Sequence, residues 1–132
     1  MIPDKKVRAK IQKKHLLRID KALKQYVVYS EQQGYQHSIE RAKPVLEYVE
    51  KKLRDMKDDT VSIQVSLLDI GTIHDSLTDY ILFYKGGLPS LLETVEWVEQ
   101  TFEQKMKQYK VTKSELFTRS LMNVRNALKD GK

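Results

Sequence analysis

The sequence predicts an all-α fold, a single-domain bundle of four to five antiparallel amphipathic helices that opens with a long basic helix. Apolar residues recur at intervals of three and four along most of the chain, as they do on the buried side of a helix. Two capping boxes, Ser90-x-x-Glu93 and Thr112-x-x-Glu115, mark helix starts. Glycines follow three of the periodic stretches and mark helix ends. Because the apolar periodicity agrees with the capping boxes and the glycines, the sequence indicates helices throughout.

The first predicted helix runs from about Asp4 to about Gln33 and ends at Gly34. Its core stripe spans an arc of about 100° and consists of Leu16, Ile19, Leu23, Tyr26 and Val27. A helix of this length would measure about 45 Å, longer than any other predicted here. We therefore expect one domain over residues 1–132, from which residues 1–14 project as a basic helical arm.

The second predicted helix starts at Ser38, contains Pro44, and ends before the connector Asp58–Thr60. The third covers about 62–85, is apolar on nearly all sides, and ends at Gly86–Gly87. A helix of that kind is central or lies at an interface, so a homodimer is one interpretation. The segment Val61–Val65 alternates as a strand would, but no partner strand is recognisable, and a helix is predicted there as well.

The fourth and fifth predicted helices begin at the two capping boxes and are separated only by Val111 and Thr112. The fifth turns Phe117, Leu121, Val124 and Leu128 inward and ends at Gly131. No cysteine is present, so the chain has neither disulfides nor a thiol nucleophile. No apolar run approaches the roughly 20 residues of a membrane span, and no signal peptide is recognisable. We expect a soluble cytoplasmic protein.

Charge is concentrated at the start of the chain. Residues 1–25 contain nine Lys or Arg and two Asp, whereas the rest of the chain has a net charge of −1. On a helical wheel six of the seven lysines of this segment, all but Lys5, share an arc of about 100°. The predicted partner-binding surface consists of Lys6, Lys10, Lys13, Lys14, Leu17, Arg18, Lys21 and Lys24. Such a row binds an acidic protein surface or nucleic-acid phosphates, unless it is simply a solvated helix face.

The fifth predicted helix offers a second candidate surface, formed by Arg119, Asn123 and Asn126. Arginine and asparagine form paired hydrogen bonds with guanine and adenine edges in the major groove. The short connection to the fourth helix is compatible with a helix-turn-helix, although the fourth helix is long for that motif. A solvent-facing terminal helix explains the same residues.

His74 and its acidic neighbours, Asp69, Asp75 and Asp79, contain the minimum donor set for a metal ion. His74 nevertheless falls in the apolar row of its helix. We therefore predict a core histidine hydrogen-bonded to a neighbouring helix, and no metal site. The chain has no glycine-rich phosphate loop and no spaced acid–base–nucleophile set, so we predict neither an enzyme nor a cofactor.

These observations favour a small non-catalytic interaction or regulatory protein that binds a macromolecule through its basic first helix. A protein partner with an acidic surface, or a second copy of the chain, is the first interpretation. The alternative is a nucleic-acid-binding protein that uses the lysine row and the fifth helix. A membrane or a small-molecule substrate is not expected.

Overall fold

The computed structural model describes residues 2–84 and 88–130, over which the chain is mostly helical with one small sheet of two strands. The elements in chain order are β1 (Lys6–Gln12), α1 (Lys13–Gln33), α2 (Gln36–Asp55), β2 (Thr60–Ser66), α3 (Leu67–Tyr84), α4 (Leu88–Gln108), α5 (Lys113–Leu116) and α6 (Leu121–Asp130). The helical character predicted from the sequence is confirmed. The predicted all-α bundle fits the described residues only roughly, because they also form a strand pair, and the count of four to five helices is not confirmed.

The prediction of a long basic N-terminal helix is wrong, because residues 6–12 form a strand. β1 pairs antiparallel with β2, and the register runs from Lys6 opposite Ser66 to Gln12 opposite Thr60. Polar and apolar residues alternate along β1, so Val7 and Ile11 both turn inward and are 3% and 0% exposed. Residues 6–12 are therefore docked on the core, and the predicted projecting helical arm over residues 1–14 is not formed.

The segment Val61–Val65, also predicted as helix, is most of β2. Ile63 and Val65 are buried beside the inward residues of β1, while Ser62 and Gln64 face solvent. Its β-branched residues suit a pleated surface with one buried side. Its partner strand, β1, precedes α1 in the chain, so the two helices α1 and α2 separate the paired strands in sequence.

α1 begins at Lys13 rather than Asp4, but it ends as predicted. Gly34 has a positive φ of 73°, and the following N–H, of Tyr35, donates to the Ser30 carbonyl at 2.9 Å. Most of the predicted core stripe is buried, from Leu16 to Val27. The other predicted stops, at Gly86–Gly87 and Gly131, lie outside the described residues.

α3 occupies the centre of the molecule, where it packs against α1, α2, α4, α5 and α6. α4 to α6 of the same chain pack on α3, while Leu68, Phe83 and Tyr84 of α3 remain exposed. The expectation of an unusually apolar, sandwiched helix is confirmed, because ten of its residues are buried. The homodimer that the sequence suggests stays a prediction.

The fifth predicted helix is broken into α5 and α6. The capping box Thr112–Glu115 is confirmed, yet α5 ends at Leu116 after one turn. The backbone N–H groups that a continuous helix would use inside itself bond to carboxylates of other helices. Thr118 donates to Asp75 at 3.1 Å, and Leu121 donates to Glu99 at 2.9 Å. The other capping box does not start its helix, because α4 begins at Leu88, ahead of Ser90.

Across the parts of the chain that the structure describes, every helix is too short or too polar to traverse a bilayer.

Candidate nucleic-acid interface

The two-stranded sheet turns one face to the core and the other to solvent. We call the solvent side the ribbon face, and it consists of the exposed side chains of Lys6, Arg8, Lys10, Gln12, Thr60, Ser62 and Gln64. Three of these seven residues are cations and none is acidic. Every one of them can donate a hydrogen bond. The face is therefore a positively charged array of donors.

The opposite side of the sheet fixes the ribbon face in place. Val7, Ile11, Ile63 and Val65 all point inward and are at most 4% exposed. Seven residues at about 3.3 Å each give strands roughly 23 Å long, and paired strands lie about 4.8 Å apart. The ribbon face is thus a rigid, narrow strip anchored by its own hydrophobic underside.

The cations of the ribbon face carry uncompensated charge. Among the side chains that the structure describes, no carboxylate oxygen lies within 4.0 Å of Lys6, Arg8 or Lys10. Because the strand alternates, these three side chains leave the sheet in the same direction. The structure therefore brings them together with no acidic neighbour across the strand pair.

Basic residues of α2 lie beside the free edge of β2. The backbone N–H of Gln64 donates to the Tyr48 hydroxyl at 2.8 Å, which ties α2 to this edge. The Lys52 ammonium lies 5.6 Å from the centre of the Tyr48 ring, and Lys51 is exposed next to it. These residues line a concavity of about 410 Å³, together with the acidic Asp55. The positive surface continues past the sheet on this side.

The other edge of the sheet, along β1, is open. Backbone bonds from Leu67 to Lys5 and from Lys13 to Asp59 extend the ladder beyond both strand ends. Alternation of an antiparallel ladder then points the backbone groups of Lys6, Arg8 and Lys10 away from β2. Among the described residues the sheet has only these two strands, so nothing in that part of the chain continues it.

The start of α1 adds positive potential at the Gln12 end of the ribbon face. Gln12 gives the helix no side-chain cap, and the first turn contains Lys13 and Lys14 without an acid. The partial positive charge of a helix N-terminus normally favours anions there. Exposed Asp58 and Asp59 lie next to this end in the sequence and offset part of the charge.

The rest of the predicted lysine row does not join the ribbon face. Arg18 and Lys14 both contact the Glu93 carboxylate, at 2.9 and 3.2 Å, and their hydrogen bonds hold the pKa of Glu93 below its ordinary value. The Lys24 ammonium lies 2.9 Å from Asp20, which raises the pKa of Lys24 by hydrogen bonding and by charge.

Two further members of the row are set apart on α1. The Lys21 ammonium lies over the ring of Tyr80, and Leu17 is 49% exposed. Of the eight residues predicted as one surface, only Lys6 and Lys10 share the ribbon face, with Lys13 at its end. The sequence interpretation left Arg8 outside this surface and missed the polar residues of β2. The signal for them is period-two alternation in both segments, which has meaning only when the two are taken as a pair.

His15, near the start of α1, is buried and contacts α4. Its Nδ1 lies 2.8 Å from the Thr94 hydroxyl, and its ring stacks on Trp97 at 5.2 Å. Burial, followed by the charges of Lys14 and Arg18, lowers the pKa of His15 below its ordinary value. A neutral imidazole therefore ties α1 to α4.

The second candidate surface is not a single free face. The Arg119 guanidinium is paired with Asp79 of α3, whereas Asn123 and Asn126 are exposed on α6. An arginine held by a carboxylate is not free to bind a base edge. The predicted guanine- and adenine-reading set is therefore split between a structural contact and two solvent-facing amides.

His74 is the core histidine that the sequence predicts. It is fully buried, and its Nε2 lies 2.7 Å from Glu99 of α4. The neighbouring aspartates point elsewhere: Asp69 bonds to the backbone N–H of Ser66, and Asp75 bonds to Thr118. Over the described ranges, no three His, Asp or Glu side chains cluster closely enough to hold a metal ion.

No family model, curated protein or solved structure matches this chain.

Proposed function

We propose that this chain is a non-catalytic protein that binds duplex DNA by laying the ribbon face in the major groove. The major groove of B-form DNA is about 12 Å wide and admits a two-stranded antiparallel ribbon. The strand pair has that form, and its solvent side bears only donors and cations. The major groove of A-form RNA is too narrow and deep for side chains to read, so double-stranded RNA is the poorer fit.

One observation carries the proposal. Lys6, Arg8 and Lys10 project from the same face, and none has a carboxylate partner among the described residues. Cations that would bind phosphates release counterions from DNA, which supplies affinity regardless of sequence. Gln12 follows them at the end of β1, the polar residues of β2 lie across the strand pair, and all are of the kinds that contact base edges.

The test compares two triple variants that remove the same charge. The ribbon variant is Lys6→Gln with Arg8→Gln and Lys10→Gln, all exposed. The control is Lys24→Gln with Lys43→Gln and Lys107→Gln, lysines that each contact a carboxylate. Fluorescence anisotropy with a 20-base-pair duplex at 0.1 M salt should show on the order of 100-fold weaker binding for the ribbon variant.

The control variant should change the affinity by less than about threefold, since screened charges away from the contact act weakly. Equal losses in both variants would mean that net charge alone attracts the DNA, and the ribbon face would then have no special role. Circular dichroism of each variant checks that the fold is retained.

A second candidate function follows from the open edge of β1. An extended acidic peptide could add to this edge as a third strand, with main-chain hydrogen bonds for affinity and carboxylates opposite Lys6 and Lys10. Two copies of β1 would place like charges together, which disfavours pairing of the chain with itself. Two results together would favour this function. A glutamate-rich peptide would shift the backbone amide resonances of β1, and the protein would show no binding to DNA.

A further inference from the structure

A separate cavity of about 220 Å³ lies between α1 and α3. Its walls are mainly aromatic, and five rings line it: Tyr26, Tyr29, Tyr80, Phe83 and Tyr84. None of these residues belongs to the ribbon face. Concave apolar sites with a few polar groups are where small ligands bind.

The lining rings lie close to one another around the cavity. Tyr80 and Tyr84 are 5.0 Å apart between centroids, and Tyr29 stacks on Phe83 at 6.2 Å. Phe83 is 64% exposed, which is costly for a phenyl ring in water. The negative faces of such rings attract cations, and the Lys21 ammonium already lies 5.8 Å from the Tyr80 ring.

One carboxylate, that of Asp79, is present among the described lining residues. Its Oδ1 accepts a hydrogen bond from Arg119, whereas its Oδ2 has no partner within the described parts of the chain and is not sealed from solvent. Burial raises the pKa of Asp79, and the Arg119 charge opposes that rise. A partly desolvated carboxylate therefore keeps one acceptor oxygen available at an aromatic cavity.

We infer that this cavity binds a small planar organic cation, whose N–H groups donate to Asp79 while its flat face packs among the tyrosine rings. The volume suits one aromatic ring with a short substituent. A neutral ligand of the same shape would gain the aromatic contact but not the charge-assisted hydrogen bond, which is about twice as strong as a neutral one.

Benzamidine is the probe for this site, and benzamide is its neutral counterpart of nearly equal shape. Calorimetric titration of the full chain at pH 8 should give about tenfold tighter binding for benzamidine, as a charge-assisted hydrogen bond predicts. Amide resonances of α1 and α3 around the cavity should shift. Absence of benzamidine binding at millimolar concentration, or equal affinity for benzamide, would overturn the inference.

Two variants break the same ion pair but change the carboxylate in opposite ways. Asp79→Asn removes the acceptor charge and should abolish the preference for benzamidine. Arg119→Met leaves the carboxylate uncompensated and should strengthen benzamidine binding several-fold. If both variants weakened binding alike, the ion pair would be acting only through the fold, and the assigned role of Asp79 would be wrong.

Asp75→Asn is the matched control, because Asp75 lies one turn away on α3 and bonds to Thr118 instead of lining this cavity. It should leave the benzamidine-to-benzamide ratio unchanged. None of these three substitutions alters the ribbon face. DNA affinity measured on the same variants therefore separates failure of the cavity inference from failure of the proposed function.

Discussion

Single side chains connect distant parts of this molecule, and Glu99 is the clearest case. Its carboxylate is 2.7 Å from His74 of α3, accepts the Leu121 N–H at 2.9 Å, and lies 3.6 Å from the Lys113 ammonium. The ring of Phe117 stacks on His74 at 3.8 Å. One buried carboxylate thus joins α3, α4 and the start of α6.

The pKa of Glu99 shows that this environment favours the ionised form. Burial alone would raise that pKa, but the His74 hydrogen bond, the Leu121 N–H and the Lys113 charge together hold it below the ordinary value. A carboxylate with a depressed folded-state pKa contributes stability above its unfolded-state pKa, and the contribution is lost as pH falls through the folded value. For a glutamate the loss begins near pH 4.

We predict that Glu99→Gln lowers the free energy of unfolding at pH 7 by about 1.5–3 kcal/mol, the range for hydrogen bonds to a charged group. The difference from wild type should shrink as the pH is lowered from 5 to 3, since the wild-type carboxyl then becomes protonated. Urea unfolding at each pH measures both. Glu96→Gln, on the same helix but half-buried and bonded to the surface residues Arg125 and Gln100, should cost under about 0.5 kcal/mol. A Glu99→Gln deficit that stays constant with pH would contradict this account.

At the scale of elements, α3 approaches α5 closely at Gly71. A Cβ atom added there would lie 2.7 Å from the Leu116 carbonyl oxygen and 3.2 Å from its Cδ1. Backbone oxygen at that distance has to move, and such overpacking costs about 1–3 kcal/mol, partly offset by the higher helix propensity of alanine.

We predict that Gly71→Ala lowers the free energy of unfolding by about 1–2 kcal/mol, measured by urea unfolding. Adding Leu116→Ala should not restore the loss, because the nearest clash is with the backbone of that residue and not with its side chain. A neutral or stabilising Gly71→Ala would show that α5 moves aside at little cost, and the close packing would then not matter.

The elements also show how far the sequence could be interpreted. Caps and stripes within one segment, such as Gly34 and the buried row from Leu16 to Val27, depend on local chemistry and were predictable. β1 was not, because Lys and Ala are good helix formers and a strand needs a partner to be recognised. Its alternation and that of Val61–Val65 become meaningful only as a pair. The break after Leu116 depends on Asp75 and Glu99, which are distant in sequence.

At the scale of the whole molecule, the positive charge is concentrated near the start of the chain, as the sequence predicts. Part of it lies on the strand β1 and not on a long first helix. The chain has a formal net charge of +6, and the residues before position 26 account for it. Folding divides this charge between paired cations on α1 and unpaired cations on the ribbon face. The positive charge of Lys6 and Lys10 near the start of the chain was predictable. Their common face with Arg8 was not, since it depends on the strand conformation.

Salt dependence of DNA binding tests the central claim most directly. If the ribbon face and its flanking lysines neutralise some five phosphates, a plot of log affinity against log salt concentration has a slope of about −4 to −5. The variant Lys6→Gln with Arg8→Gln and Lys10→Gln should flatten that slope by nearly three units, about 0.9 for each lost contact. A wild-type slope near zero, or an unchanged slope in the variant, would contradict the assignment of the ribbon face as a DNA-binding surface.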